Sequence, residues 1–451
     1  MTSVAREEFS TASTLLDLLE KRTVEDPNYW DFKLTPIRAG GHGFFQYPAM
    51  MVPELQGALL DDLAAADPAA RLIYDPFMGS GTVMLESLYK GFDFHGSDIN
   101  PMAILLSKVK SNPPTGSSAN DAVAAVVSRA SEDSSEEDLA FENRDKWFTP
   151  AVTRELSQIR RAIQRERDVS IRQFLWVCLA ETVRLVSNSR TSTFKLHVYA
   201  PDVLSERRPE ALVMFTTVGK ANAVRASEHW SRMEKRETRD DLTEPKATLL
   251  RGGVADPWGA PKKADALMTS PPYGDNKTTV PYGQHSYLPL RWIDHRDLVG
   301  SFNEDFLTKI ARIDSLSLGG SLVKADSHRN GLEQKTASLG SFLPKLDNRP
   351  QLRRKVLAFT QDYSVALQRS SERLRDGAFS FWTLGERRVG QEQMPLVAVT
   401  REILESLGHD EVTTIERRLP LGRKRMAGRN SEGATMITEQ VLVMQKRTPS
   451  E

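Results

Sequence analysis

The chain has 451 residues, 39% of them hydrophobic, with a single cysteine, so a large buried core is within reach while an intramolecular disulfide and a cysteine-rich zinc site are excluded. Its 60 basic and 60 acidic residues cancel, so total charge does not mark a nucleic-acid binder; local clusters rather than the total set the field at a groove. No apolar run reaches membrane-spanning length, and Glu7 and Glu8 stand where a signal peptide would have its apolar core, so a cytoplasmic protein is expected.

Residues 1–40 read as a helical arm, with Leu15, Leu16, Leu18 and Leu19 on a short amphipathic helix. A Gly-rich stretch from Gly40 to Gly43 leads through Phe44, Phe45 and Gln46 into Tyr47-Pro48-Ala49-Met50, ahead of a helix from Pro53 to Leu63. Leu72 to Asp75 is an apolar strand that ends in an acid. Pro76-Phe77-Met78-Gly79-Ser80-Gly81-Thr82 then turns the chain into a helix from Val83 to Lys90. Gly79 and Gly81 allow a tight bend and a close approach of backbone to ligand. A phosphate-binding P-loop would need a lysine after Gly81, and a dinucleotide fingerprint would need a third glycine where Met84 stands.

Phe92 to Asp98 alternates as a second strand with an acid at its tip. A carboxylate there accepts hydrogen bonds from ribose hydroxyls, because open α/β sheets hold nucleosides at the carboxyl ends of their strands. Asp98 is therefore the ribose candidate, and capping the helix that starts at Pro101 is a compatible second role. Ser111 to Ser118 and the acidic Ser131 to Asp138 read as loops or mobile connectors. Helical patterns follow over 150–165 and 171–186, and Cys178 lies inside the second as a buried, inert thiol. The stretch 112–245 is longer than a simple crossover needs and reads as a mainly helical insertion. Within it Arg190, Lys195 and His197 are candidates for contacts to a polyanion, against the alternative of a helical subdomain with a basic surface.

Ala247 to Leu250 is a third strand, followed by the turn Gly252-Gly253-Val254-Ala255-Asp256. Ala264 to Met268 is a fourth, and the paired prolines Pro271 and Pro272 cannot continue a sheet ladder, so the chain leaves the sheet at Ser270. It presents there a hydroxyl, a carbonyl fixed by the prolines and the face of Tyr273. That set suits a planar, amine-bearing ring, stacked on the tyrosine with its amino hydrogens on the serine oxygen and the carbonyl.

Thr269 to Tyr273 resembles the S-P-P-Y form of the catalytic motif of amino-group DNA methyltransferases, which methylate adenine N6 or cytosine N4 from S-adenosylmethionine. Asp75 to Thr82 resembles the D-P-F-x-G-S-G-T cofactor loop of the same enzymes. The resemblance implies an α/β fold, a Rossmann-like class I methyltransferase sheet of seven strands with helices on both faces, plus the mainly helical insertion. Residues 41–111 become the cofactor-binding half and 246–447 the catalytic half, with recognition loops over about 277–350. The implied catalytic residues are Ser270, Pro271, Pro272 and Tyr273. The implied S-adenosylmethionine residues are Tyr47, Pro48, Asp75, Pro76, Phe77, Gly79, Ser80, Gly81, Thr82, Asp98 and Asp256. In this reading Asp75 pairs with the cofactor ammonium, Asp98 with the ribose and Asp256 with the adenine amine, with a plain turn aspartate as the equal alternative at Asp256, while Met50 stands where the family usually has a lysine. No metal is required. Double-stranded DNA is the implied partner, with a cognate restriction or defence component as a further one, and the insertion is a place where such enzymes can carry DNA contacts. Serine at the motif's first position leans toward cytosine N4, with adenine N6 open. No Pro-Cys pair is present, which disfavours cytosine C5 chemistry and its cysteine adduct. An RNA base methyltransferase and a non-catalytic cofactor-binding subunit remain as alternatives; intact versions of both motifs weigh against the second.

Past the turn, Thr278 to Trp292 is dense in aromatics that would either hold a flipped base or pack a core. Residues 315–350, with Lys324, His328, Arg329, Lys335, Lys345 and Arg349, read as a polar loop region suited to a DNA groove. A helix over 353–375 precedes a fifth strand over 377–383. A second helix over 395–407 precedes strands over 412–418 and 438–445, joined by a loop with Arg423, Lys424, Arg425 and Arg429 that suits phosphate contact.

Overall fold

Among the described residues nine strands are present: β1 (Leu72–Asp75), β2 (Asp93–Asp98), β3 (Ala247–Arg251), β4 (Ala264–Thr269), β5 (Leu374–Leu384), the short ribbon β6 (Arg388–Val389) and β7 (Glu392–Gln393), then β8 (His409–Arg418) and β9 (Thr438–Lys446). The computed structural model describes residues 10–33, 36, 38–236, 244–256, 262–275, 279–298, 307, 309–419 and 438–448. All strands but the ribbon join one seven-stranded sheet in the order β3-β2-β1-β4-β5-β9-β8. Only β9 runs antiparallel, pairing with β5 on one side and β8 on the other. The chain builds outward from β1 through β2 to β3, then returns to place β4 on the opposite side of β1. The carboxyl ends of β1 and β4 flank that reversal, which is where open α/β sheets bind ligands.

Strand residues alternate between two cores. Phe379, Phe381, Val441 and Val443 face the helices Pro53–Ala66 and Thr82–Tyr89. Their neighbours Trp382, Leu442 and Met444 face the helices Pro350–Glu372 and Leu396–Ser406. Burial on both faces explains the near-continuous apolar runs of β1 and β4. The N-terminal helix Thr11–Glu25 adds Leu15 and Leu19 to the first core, and Arg22 grips Asp62 with bonds of 2.7–3.0 Å.

The stretch between β2 and β3 is mainly helical, as its patterns lead one to expect, and the helices Pro150–Gln164, Val169–Val186 and Ala211–Glu234 share a further core with Phe44, Phe45 and the helix Tyr282–Trp292. Cys178 is wholly buried there, and burial pushes its thiol up to about 12. Of the stretch Ser111 to Ser118, residues 112–115 are a loop as expected, and the helix Gly116–Ser131 starts where Thr115 caps it by accepting from the Ser118 amide. The acidic Ser131 to Asp138 segment is a loop past the end of that helix, with Asp133 paired to Arg161 at 2.7 Å and Asp138 to Arg154 at 3.1 Å. One expectation changes. Residues 315–350 form short helices, with Leu332, Leu339, Phe342, Leu343 and Leu346 buried in the second core, so the apolar residues spaced among the charges outweigh them. Arg329 there pairs with Glu333. Arg423, Lys424, Arg425 and Arg429 lie outside the described residues.

Candidate active site

The turn after β1 folds as it does because two glycines adopt the left-handed region, Gly79 at φ +49° and Gly81 at φ +73°. A Cβ on Gly81 would also come within 2.8 Å of the Ser107 hydroxyl. The loop is fastened to the tip of β2. Asp98 accepts the Gly79 amide at 2.9 Å with one oxygen and the Asn100 amide at 2.7 Å with the other. Burial raises the Asp98 carboxyl to about 6. Asn100, not Asp98, caps the helix Pro101–Ser111, accepting from the Met102 amide. Its side-chain amide donates to the Tyr47 hydroxyl at 3.1 Å and to Ser286 at 2.8 Å. Beneath the loop the fully buried Lys110 donates to the Ser80 carbonyl at 2.8 Å, and burial lowers its ammonium to about 7.

A cleft of about 900 Å³, counting its open mouth, lies at the carboxyl ends of β1, β2 and β4. Its walls include Tyr47, Pro48, Met50, Pro76, Phe77, Gly79, Ser80, Thr82 and Asp98 from the first hundred residues, and Ser270 and Pro272 from the turn after β4. The sheet reversal thus brings the two motifs, nearly two hundred residues apart, to one cavity. Ile99 and Val254 add apolar surface and Tyr282 closes one side, its ring stacked on Tyr47 with centroids 5.8 Å apart. The remaining aromatics of the helix Tyr282–Trp292 serve the core: Trp292 is fully buried edge-on to Phe141 and Phe148.

Two of the candidate acids lie outside the cleft wall. Asp75 is fully buried behind the loop and is not part of the cleft wall. One of its oxygens accepts both the Thr269 hydroxyl at 2.6 Å and the Phe77 amide at 3.0 Å; the other is buried with no hydrogen-bond partner. It ties β1 to β4 beneath the turn that follows β4, the geometry of a brace between strands. Burial raises its carboxyl to about 7. Asp256 is exposed and absent from the wall, its carboxylate turned back on the Gly253 amide at 2.7 Å, as a turn aspartate does.

In the turn itself the Ser270 and Tyr273 hydroxyls lie 3.2 Å apart, and Tyr273 donates to Glu439 at 3.2 Å. Glu439 in turn pairs with Arg417 at 3.0 Å. Neither Glu439 nor Arg417 has a local sequence signal, since β8 and β9 bring them to the turn only in the folded sheet. Asn100 did carry one: Asn before Pro is a helix-start signature. Arg387, just after β5, lies over Gly274 and pairs with Asp275 at 3.7 Å. In the stretch between β2 and β3, the strand-like bridge between Ser189 and Val198 closes a finger that exposes Arg190, Lys195 and His197. Phe194 of this finger rests on the His285 ring, 5.5 Å away, and His285 also bonds the Gln46 carbonyl at 2.7 Å, so the finger leans on the segment that leads into Tyr47.

No protein-family model matches the chain. It is 27% identical over 450 residues to the type II methyltransferase M.MvaI of Kocuria varians, covering 95% of this chain and 96% of that one. Among solved structures it overlays on the rRNA methyltransferase aviRa of Streptomyces viridochromogenes with 10% identity, a TM-score of 0.28, and coverage of 88% of this chain and 86% of that one, too distant a match to bear on substrate.

Proposed function

We propose that the chain is an S-adenosylmethionine-dependent methyltransferase acting on the exocyclic amino group of a flipped base in double-stranded DNA, with cytosine N4 preferred over adenine N6. The likeness to a type II methyltransferase along nearly the whole chain supports the class. The observation that carries the chemistry is that Ser270 and Pro272 share one cavity with Gly79, Ser80, Thr82 and Asp98.

The donor set fits the cofactor. Asp98 reaches the cleft with carboxylate lone pairs suited to ribose hydroxyls, Ile99 and Val254 give apolar surface for a flat base, and the left-handed Gly79 leaves the loop backbone open under Tyr47. The cofactor supplies an electrophilic methyl group. Everything else falls to the chain. The target amine is a weak nucleophile because its lone pair is spread into the ring. Ser270 Oγ and the Pro271 carbonyl accept its two hydrogens and favour a pyramidal nitrogen whose lone pair points toward the cofactor loop. Tyr273 supplies a ring face to the base. Flipping the base out of duplex DNA costs a few kcal/mol, which the pocket offsets.

Serine in place of an acid favours cytosine N4. The exposed Arg190, Lys195 and His197 suit phosphate contacts. A cognate restriction or defence component is the expected partner in the cell. The direct test is transfer of labelled methyl from S-adenosylmethionine to unmethylated duplex DNA, with structured RNA in parallel. Label in DNA alone is the expected result; label in RNA alone would move the chain to a different substrate class.

A further inference from the structure

A serine at the head of the catalytic turn has a difficulty that an acid would not have. A carboxylate only accepts hydrogen bonds, whereas a hydroxyl must be turned so that its proton points away from the incoming amine. The surroundings of Ser270 provide for that. Tyr273 has one hydroxyl proton, and it is committed to Glu439 at 3.2 Å. In the 3.2 Å contact between Ser270 and Tyr273 the serine must then be the donor.

We propose that Glu439 is a positioning residue for methyl transfer: through the chain Ser270 O–H to Tyr273 O–H to Glu439 carboxylate it holds Ser270 as an acceptor, with its lone pairs free for the hydrogens of the target amine. Glu439 is itself fixed. Its second oxygen takes the Arg417 guanidinium at 3.0 Å, and the Arg417 side chain is only 1% exposed. Arg417 also donates to the Trp30 and Asp31 carbonyls at 3.1 and 3.3 Å, which anchors the relay on the N-terminal segment. Burial first, and the facing Glu439 second, push the Tyr273 phenol well above its ordinary value, so it keeps its proton and remains a donor at any working pH. The relay acts only on the direction of protons that are already present; no bond is made or broken in it.

This inference rests on the proposed amine methylation and is tested beside it. Initial rates are measured for the wild-type chain, Tyr273→Phe, Glu439→Gln and the double variant, with duplex DNA and S-adenosylmethionine, along with cofactor affinity and melting temperature. Tyr273→Phe keeps the ring face, disturbs no charge and removes the relay. It is expected to lower kcat by roughly tenfold to a hundredfold, with KM for DNA and cofactor affinity within about twofold, the signature of an interaction used in the transition state. Glu439→Gln should show the same split. The double variant should be no slower than the slower single one, because both changes break one chain. Unchanged kcat in Tyr273→Phe, or losses that multiply in the double variant, would overturn the relay while leaving the methyltransferase reading intact. Should Glu439→Gln fail to fold with Arg417 left unpaired, Tyr273→Phe alone decides by the same criterion. A wild-type chain that methylates no amine would overturn the reading beneath the relay and the relay with it.

Discussion

Asp75→Asn is the perturbation that most clearly separates a structural brace from a cofactor ligand. The wild-type carboxyl is raised from 3.8 to about 7, chiefly by burial and against the two hydrogen bonds that favour its charge. The folded chain therefore holds this proton more tightly than the unfolded one. The group's contribution is full below pH 4, is lost as pH rises toward 7, and is flat above. A carboxyl raised that far corresponds to about 4 kcal/mol against the folded state at pH 8. Asparagine keeps the oxygen that serves both Thr269 and Phe77 and places its amide where the partnerless oxygen now sits. Protonated aspartate has the same shape and the same spare donor, so the two chains should melt together near pH 4. At pH 8 the variant should melt about 3–4 °C higher, since 1 kcal/mol moves Tm by about 1 °C in a chain of this length. Thermal melts from pH 4 to 8 without cofactor measure the difference directly. A variant destabilised at pH 8 would refute the reasoning, because it would mean that the charged form is the one the fold requires.

Gly81→Ala should lose about 1–3 kcal/mol of stability and at least tenfold in cofactor affinity, from left-handed backbone strain and the 2.8 Å clash with Ser107. Gly79→Ala meets only ordinary contact at 3.5 Å from Tyr47 and should be the milder of the pair in the same melts and titrations. Asp98 is raised to about 6 and must be ionised to accept ribose hydroxyls, so cofactor affinity should rise with pH from 5 to 7 and level off above. Asp98→Asn should bind about tenfold more weakly at pH 8 with no such slope, because its one carbonyl oxygen is already wanted by a backbone amide. Calorimetric titration across that range checks both statements.

The parts that could be read in advance were those set by local chemistry. β1 and β4 are buried on both faces and announce themselves as apolar runs, and the glycines after β1 and the prolines after β4 say where the chain must leave the sheet. Asp98 follows from its place at a strand tip. What escaped depends on partners distant in sequence. Asp75 looks like a ligand at the end of a strand, yet Thr269 of the neighbouring strand draws its carboxylate inward. The charges of 315–350 suggested an open loop because the apolar residues that pin it to the helix Pro350–Glu372 are thinly spaced. Glu439 and Arg417 were invisible because no motif contains them; only the antiparallel pairing of β8 with β9, in which Arg417 faces Glu439, sets them under Tyr273.

The central claim is that the shared cleft delivers a methyl group to an exocyclic base amine, and the most direct measurement is mass spectrometry of nucleosides. Unmethylated duplex DNA treated with the purified chain and S-adenosylmethionine is digested and its modified nucleosides identified. The account predicts N4-methylcytosine; N6-methyladenine would preserve the amine chemistry and overturn the choice of base. C5-methylcytosine, or no methylated nucleoside from DNA at all, would contradict the account.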